Sequence, residues 1–269
     1  MYEAKNFIFE KIGIILGKLN DLKYQSLKEL DFEYLKCDYK QSITPPGENE
    51  PWCKFKKGER LSGVDEHYWL HFSFDAVEAQ ENKELIFTLK TGRETQWDAT
   101  NPQGIVYIDG KAVQSIDVNH TWFSLEFGIK YDFYFYFYTG MEGGYFEMIP
   151  ELKLRDIPVY DLYFDMEVPY DALKELSCDS YDYIKIRDAL NQTCFKLDFR
   201  HVYSNDFYNS IKEASKFIRE EFYGKTCGNS EAVVSCIGHT HIDVAWLWTV
   251  RQTREKAERS FSTVLNLMR

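Results

Sequence analysis

The sequence lacks any apolar run of the length that a membrane-spanning helix needs. Such a helix takes about 20 consecutive apolar residues, and no stretch of the 269-residue chain approaches that length. The amino-terminal residues Met1–Lys5 also lack the basic start, apolar core and small-residue cleavage site of a secretion signal. These absences argue against a membrane protein and against secretion.

Cysteine is scarce and irregularly spaced. The six cysteines form no Cys-x-x-Cys pair and no dense disulfide framework. We therefore expect free thiols in a reducing compartment. Together with the missing secretion signal, this predicts a cytoplasmic globular protein.

Basic residues are fewer than acidic residues in this sequence. The 32 Lys and Arg residues face 43 Asp and Glu residues, which gives a formal net charge of −11. Such a surface repels phosphate backbones and anionic lipids. Nucleic-acid and membrane partners are therefore disfavoured, and a solvated acidic surface is the simpler interpretation.

The first 51 residues predict a helical lead-in followed by a linker. Apolar residues recur at Ile8, Ile12, Ile15, Leu16 and Leu19, which places them on one face of a helix that ends near residues 20–21. The later stretch 44–51 contains three prolines and a glycine, which is typical of a surface loop.

Residues 52–168 show the alternation of β-strands. Leu70, Phe72 and Phe74 alternate with Trp69, His71 and Ser73, and residues 131–138 form an aromatic run of strand length. Short strands rich in aromatic residues predict an antiparallel β-sandwich or jelly roll.

In residues 169–228 the spacing between apolar residues lengthens from that of a strand to that of a helix, which predicts a helical connector. Its clearest helix carries an apolar face, with Ser204 or Asn205 capping its start and Gly224 ending it. The apolar face of this helix consists of Phe207, Ile211, Ala214, Ile218 and Phe222. A second helix is expected at about 180–193.

Residues 229–269 predict the opening strand and helix of an α/β unit. The apolar stretch 233–237 is typical of a buried strand, and a final helix is expected from about residue 253. Directly after the strand come His239, His241 and Asp243. Alternate side chains of an extended chain share a face, so these three can converge. Imidazole and carboxylate suit zinc or a similar divalent ion, although the three could also simply cap the strand.

The residues around this cluster carry a family resemblance. The run Gly238–Trp248, followed by Thr253, Lys256 and Arg259–Phe261, closely resembles the opening of glycoside hydrolase family 38, the class II α-mannosidases. Residues 97–104, followed by Tyr107, Asp109, Gly110 and residues 117–120, resemble the β-sandwich that precedes the catalytic barrel in the cytosolic and vacuolar branch of that family. The resemblance implies a multidomain α+β protein. Its parts would be helices, a galactose-binding-like jelly roll and the first strand and helix of an incomplete α/β barrel.

The resemblance also implies roles for individual residues. His241 and Asp243 would bind zinc, whereas His239 would lie nearby without binding it. Trp246 would form the floor of the mannose subsite, unless it is a core tryptophan of the barrel. Zinc would grip two adjacent hydroxyls of the terminal mannose.

The family's carboxylate nucleophile, acid/base and remaining zinc ligands come from later strands. No catalytic residue is therefore expected within this chain. We expect the isolated chain to be inactive and to bind zinc poorly. The whole enzyme would be a zinc-dependent retaining exo-α-mannosidase acting on mannosides or free oligosaccharides, and it is expected to form a homo-oligomer.

Two other functions stay open. The chain could be a non-catalytic carbohydrate-binding or assembly module, or a different zinc hydrolase that uses His239 as well as His241 and Asp243.

A second pair of histidines, His67 and His71, lies four residues apart on one strand face. A sugar or metal site is conceivable there, but we favour a solvated strand face or an interdomain contact.

Overall fold

The computed structural model describes residues 2–39, 44–47, 49–97, 101–225, 227, 233, 235–237 and 241–268. The chain forms two compact units. The helical unit comprises Met1–Gln25, Glu81–Glu84 and Leu154–Cys236, and the β-unit comprises Ser26–Gln80, Leu85–Lys153 and Ile237–Arg269. Within the described part of the chain, no helix is long and apolar enough to cross a bilayer.

Helices with facing apolar sides build the helical unit. The predicted apolar face of the first helix is confirmed, since Ile12, Leu16 and Leu19 are buried. The predicted face that starts at Phe207 is also buried, and Ser204 caps it by accepting a hydrogen bond from the Phe207 amide at 3.2 Å. The helices are α1 (Tyr2–Leu22), α2 (Ile157–Glu175), α3 (Tyr181–Cys194) and α4 (Asn205–Phe217), which continues into a π-helical turn (Ile218–Tyr223).

Helix α2 corrects the expected sandwich boundary at residue 168. It begins at Ile157 and continues through Pro169, which the sequence interpretation took as the start of the helical region. A proline inside a helix leaves the carbonyl four residues earlier without its amide donor. Here that carbonyl belongs to Asp165, and the Tyr223 hydroxyl donates to it at 2.9 Å. This external donor satisfies the carbonyl, so the helix does not have to stop at the proline.

A second correction concerns residues 1–51, which contain two strands as well as α1. The strand β2 (Glu33–Cys37) pairs antiparallel with the predicted strand at 67–74. The remaining strands are β1 (Tyr24–Glu29), β3 (Cys53–Lys54), β4 (Arg60–Gly63), β5 (His67–Phe74), β6 (Lys83–Lys90), β7 (Gln103–Ile108), β8 (Lys111–Ile116), β9 (Trp122–Leu125), β10 (Tyr131–Tyr138), β11 (Gly144–Glu147) and β12 (Ile149–Asp156).

The strands form sheets that meet through an aromatic core. A four-stranded sheet has the order β1-β12-β6-β9, a six-stranded sheet β3-β2-β5-β10-β7-β8, and a small sheet β11-β4. Phe87 of β6 lies 5.2 Å, centroid to centroid, from both Phe72 of β5 and Phe133 of β10. This packing is compatible with the predicted β-sandwich. The jelly-roll topology stays a prediction.

On the other face of the six-stranded sheet, the last helix, α5 (Val250–Leu267), packs mainly against β8 and β7, which confirms the helix expected from about residue 253. That face carries Trp69, Ile105, Tyr107 and Tyr136. On the opposite face, Gly104 of β7 leaves room for the Phe135 ring, because a Cβ at this residue would lie 2.3 Å from it.

The described residues of the stretch 233–237 do not form the expected strand. Val233 and Ile237 are largely exposed instead of buried. A strand needs a neighbouring strand to pair its amides and carbonyls, and no described strand pairs with this stretch. The start of a barrel in residues 229–269 therefore stays a prediction.

Candidate functional site

The predicted zinc ligands His241 and Asp243 lie together on the surface of the β-unit. The Nε2 atom of His241 is 3.1 Å from Oδ1 of Asp243, and the side chains are 75% and 44% exposed. His239 lies outside the described residues. The structure thus brings together the two side chains to which the family resemblance gives a metal role.

The donor types of this pair fit zinc, but their number does not complete a site. Zinc sites in proteins use three or four ligands, drawn from Cys, His and carboxylates. Among the described residues, no group of three or more such side chains is placed to hold a metal ion. His241 and Asp243 can therefore serve as part of a zinc site that other donors complete.

The segment 243–249 is tied to the first turn of α5. The Trp248 indole donates to the Asp243 carbonyl at 3.2 Å, and the Thr253 hydroxyl contacts the Val244 carbonyl. Thr249 and Gln252 form a reciprocal capping box that starts the helix. The position of Asp243 therefore depends on how α5 begins.

Trp246, the predicted sugar floor, is more than half exposed and is not a core residue of the β-unit. Its ring is nearly perpendicular to two others. Trp97 lies at a centroid distance of 5.5 Å and an angle of 82°, and Trp248 at 5.5 Å and 84°. Trp97, which is also more than half exposed, comes from the loop between β6 and β7. The two exposed rings thus form a corner of two perpendicular aromatic walls.

Helix α5 presents a polar stripe to the sheet. Its buried residues are Gln252, Glu255, Arg259 and Thr263, whereas Phe261 and Leu265 are exposed. The stripe is matched by polar groups of the sheet. The Thr263 hydroxyl accepts from the Ser115 amide at 2.9 Å. The helix is predicted from the sequence, but its inward polar face is not; the signal for that face is the helical spacing of these four polar residues.

Glu255 is a strongly perturbed carboxyl of this interface. Burial raises its pKa to about 7, although Arg259, the Tyr136 hydroxyl and Arg251 act in the opposite direction. The Tyr136 hydroxyl donates to Glu255 Oε1 at 3.4 Å and lies 2.7 Å from Nδ1 of His67. The environment of Glu255 therefore raises the protonated fraction of this carboxyl at neutral pH above that of an ordinary glutamate.

His67 is not on the solvated face that the sequence suggested. Its side chain is only 2% exposed and stacks on Tyr138 at 4.7 Å. Burial, followed by the charge of Arg251, lowers its pKa to about 4. His71 instead pairs with Asp132 at 2.9 Å and stacks on Tyr134 at 4.7 Å. These contacts account for both histidines structurally.

Comparisons with known proteins point to one family. Residues 231–269 match the family described as the glycosyl hydrolases family 38 N-terminal domain. Alpha-mannosidase G of Dictyostelium discoideum is 26% identical over 242 residues, which is 79% of this chain and 20% of that protein.

Two further relatives match shorter stretches. Alpha-mannosidase 2C1 of Mus musculus is 42% identical over 110 residues, 41% of this chain and 10% of that protein. Alpha-mannosidase of Saccharomyces cerevisiae is 30% identical over 124 residues, 42% of this chain and 11% of that protein. The matches span a fifth or less of these relatives. The family recognised from the sequence is confirmed: the chain is similar to an amino-terminal portion of the glycosyl hydrolase family 38 α-mannosidases.

Proposed function

We propose that this chain is the amino-terminal portion of a zinc-dependent, retaining exo-α-mannosidase that acts on mannosides or free mannose-containing oligosaccharides. The observation that carries the proposal is the arrangement within the family-matched residues. There His241 and Asp243 meet at 3.1 Å, and the ring of Trp246 is exposed on the same segment.

Each of these residues has a defined part in the proposed site. His241 and Asp243 offer an imidazole nitrogen and a carboxylate to the metal. Zinc, when bound, would hold adjacent hydroxyls of the terminal mannose and help stabilise the distorted sugar. The Trp246 ring would pack against the C–H face of that sugar. No residue of this chain is assigned as nucleophile or acid/base, and the chain alone is proposed to be inactive.

Zinc titration of the chain tests the metal part. Two ligands hold zinc weakly, so we expect a dissociation constant above about 1 µM, weaker than that of structural zinc sites. His241→Ala and Asp243→Ala should remove this binding. His201→Ala, at an exposed histidine, should leave it unchanged. Tight binding that survives both ligand substitutions would contradict the proposal.

His239 separates the mannosidase from a different zinc hydrolase. In the proposed mannosidase it does not bind the metal, so His239→Ala should leave the zinc affinity within about twofold. A different hydrolase that uses all three residues would lose affinity with His239→Ala as strongly as with His241→Ala, by about tenfold or more.

The proposal includes homo-oligomeric assembly through the β-unit and a cytoplasmic location, as expected from the resemblance and the cysteine usage. Sedimentation velocity tests the assembly, since the chain has a mass of 31.9 kDa. A particle of two or more times that mass supports self-association. If the chain sediments as a monomer at tens of micromolar, the β-unit is not the site of assembly.

A second candidate function is a carbohydrate-binding module without catalysis. The exposed corner of Trp97 and Trp246 favours it, because perpendicular aromatic walls can contact a sugar ring from two sides. Glycan-array binding by this chain without zinc would support it. It fails if no glycan is retained, or if binding is unaffected by Trp97→Ala.

A further inference from the structure

A cavity of about 300 Å³ lies in the β-unit between α5 and the end of the sheet. Its volume is at the lower end of the range for small-molecule sites, about 300–1,000 Å³. The wall contains more basic than acidic side chains, although the protein as a whole has a net charge of −11. The wall includes Gln103, Asp117, His120, Lys256, Arg259 and Ser260, and His241 also borders the cavity.

Two cations of α5 converge on one neutral oxygen in this wall. Arg259, only 7% exposed, donates from Nη2 to Gln103 Oε1 at 2.5 Å. Lys256 donates from Nζ to the same oxygen at 3.0 Å. In the described part of the chain, neither cation has a carboxylate oxygen within the 4.0 Å of an ion pair. Buried charges in proteins are normally paired. Here Asp117 and Glu255 act on both cations through space, but neither carboxylate is within ion-pair distance of them.

The nearest carboxylate of the wall is already occupied. Asp117 accepts from the backbone amides of Asn119 and His120, each at 2.9 Å, and from the Ser115 hydroxyl at 2.8 Å. Its Oδ1 also lies 3.0 Å from Nδ1 of His120. Burial alone would raise the pKa of Asp117, but the His120 and Ser115 contacts lower it overall. His120 thus matches this charge, and its own pKa is raised by Asp117.

The remaining carboxylate near Arg259 is Glu255, and it compensates the two cations only in part. Its pKa lies at about 7 because it is buried. Burial, together with the neighbouring charge of Arg259, lowers the pKa of Lys256 to about 7 as well. An anion in the cavity would stabilise the charged form of Lys256.

We propose that this cavity binds a small oxyanion of the phosphate class, either free phosphate or the phosphate group of a sugar phosphate. The Lys256 ammonium and the guanidinium of Arg259 would hold its oxygens by charge-assisted hydrogen bonds. The Ser260 hydroxyl offers a further donor. His241, which the proposed function assigns to zinc, also borders this cavity, but the anion contacts proposed here do not use it.

Calorimetric titration at constant ionic strength and pH 6.5 tests the proposal with inorganic phosphate, mannose 6-phosphate and mannose as probes. We expect both phosphates to bind more tightly than mannose. If both phosphates bind equally, free phosphate suffices; tighter binding of mannose 6-phosphate identifies the sugar phosphate. Lys256→Met keeps the aliphatic stem and should weaken phosphate binding by about tenfold or more.

The controls separate the site from general charge effects. Lys111→Met, at an exposed lysine, should leave the affinity unchanged. Circular dichroism checks that each variant is folded. Ser260→Ala, which removes one hydroxyl, should weaken binding several-fold and serves if Lys256→Met does not fold. The proposal is overturned if phosphate binds no better than chloride, if mannose binds as well as its phosphate, or if a folded cavity variant retains wild-type affinity.

Discussion

Arg251, in the first turn of α5, places its Nη2 atom 2.6 Å and 2.8 Å from the two carboxylate oxygens of Asp65. Asp65 lies in a left-handed turn with φ of 56°, and the Tyr138 hydroxyl donates to it at 2.9 Å. Burial raises the pKa of Asp65, but its hydrogen bonds from Arg251 and Tyr138 lower it overall. This contact fixes the start of α5, and with it the segment that carries His241 and Asp243.

The coupling between Asp65 and Arg251 is measurable in a double-mutant cycle of Asp65→Asn and Arg251→Met. Both side chains are about one-third exposed, so we expect a coupling free energy of about 0.5–1 kcal/mol in urea unfolding, which high salt reduces. The matched control is the more exposed pair Lys57 and Glu29, at 85% and 48%. We expect the control pair to show no coupling. If the effects of Asp65→Asn and Arg251→Met are also strictly additive, the contact does not stabilise the start of the helix.

Glu255→Gln is expected to change how stability depends on pH. The pKa of Glu255 is raised to about 7 in the folded protein, whereas an unfolded glutamate has a pKa of about 4.3. The folded state therefore binds the extra proton between these values, so the contribution of Glu255 to stability falls as pH rises from about 4.3 to 7. Above pH 7 the buried charge remains a cost.

Urea unfolding at several pH values checks this. Glu255→Gln should be more stable than the wild type at pH 8, on the order of 2 kcal/mol, and should lose that advantage at pH 4.5. The wild-type curve also contains opposite terms from His67 and Lys256, so only the difference between variants is diagnostic. Glu126→Gln, at an exposed position, controls for the removed charge. A pH-independent difference between wild type and Glu255→Gln would refute the assigned environment.

Tyr136→Phe should destabilise the β-unit by about 1–2 kcal/mol. The hydroxyl lies 2.7 Å from His67 Nδ1 and donates to Glu255 at 3.4 Å, and its loss leaves buried polar atoms without a partner. Tyr145→Phe, at an exposed tyrosine, should be neutral. Equal stability of the two variants in thermal unfolding would show that the buried hydroxyl contributes nothing.

The aromatic corner predicts a defined effect on sugar binding. Trp246→Ala and Trp97→Ala should each weaken the binding of an α-mannoside several-fold, because each removes one apolar wall. Tyr145→Ala removes an exposed aromatic side chain elsewhere on the surface and should have no effect. Saturation-transfer NMR with methyl α-mannoside gives the comparison. Unchanged signals from both tryptophan variants would exclude the corner as a sugar contact.

Local periodicity was enough to predict much of the fold. The apolar face from Phe207 to Phe222 and the alternation in β5 and β10 were both found in the structure, because each pattern is set by local geometry. Helix α2 was divided wrongly, since the hydrogen bond from Tyr223 that satisfies the Asp165 carbonyl joins residues 58 positions apart. Sequence spacing does not reveal such a distant donor.

The part of the candidate site that lies within one short segment could be predicted from the sequence. His241, Asp243 and Trp246 are close in sequence, and the structure places the two proposed ligands together. The burial of Glu255 and Arg259 was not predicted, because it depends on a sheet face more than 100 residues away in sequence, as the contact of Arg259 with Gln103 shows. Charged residues on a helix are ordinarily solvated, so their inward orientation required the tertiary structure.

Hydrolysis of p-nitrophenyl α-mannoside in the presence of zinc is the decisive assay for the proposed mannosidase. It compares the 269-residue chain with the longer mannosidase of which it is proposed to be the amino-terminal portion. We expect no turnover by the chain alone. The longer enzyme should turn over the substrate, and Asp243→Ala should lower that turnover at least about a hundredfold while Glu126→Gln does not. Clear turnover by the chain alone, or a longer enzyme indifferent to Asp243→Ala, would contradict the proposed function.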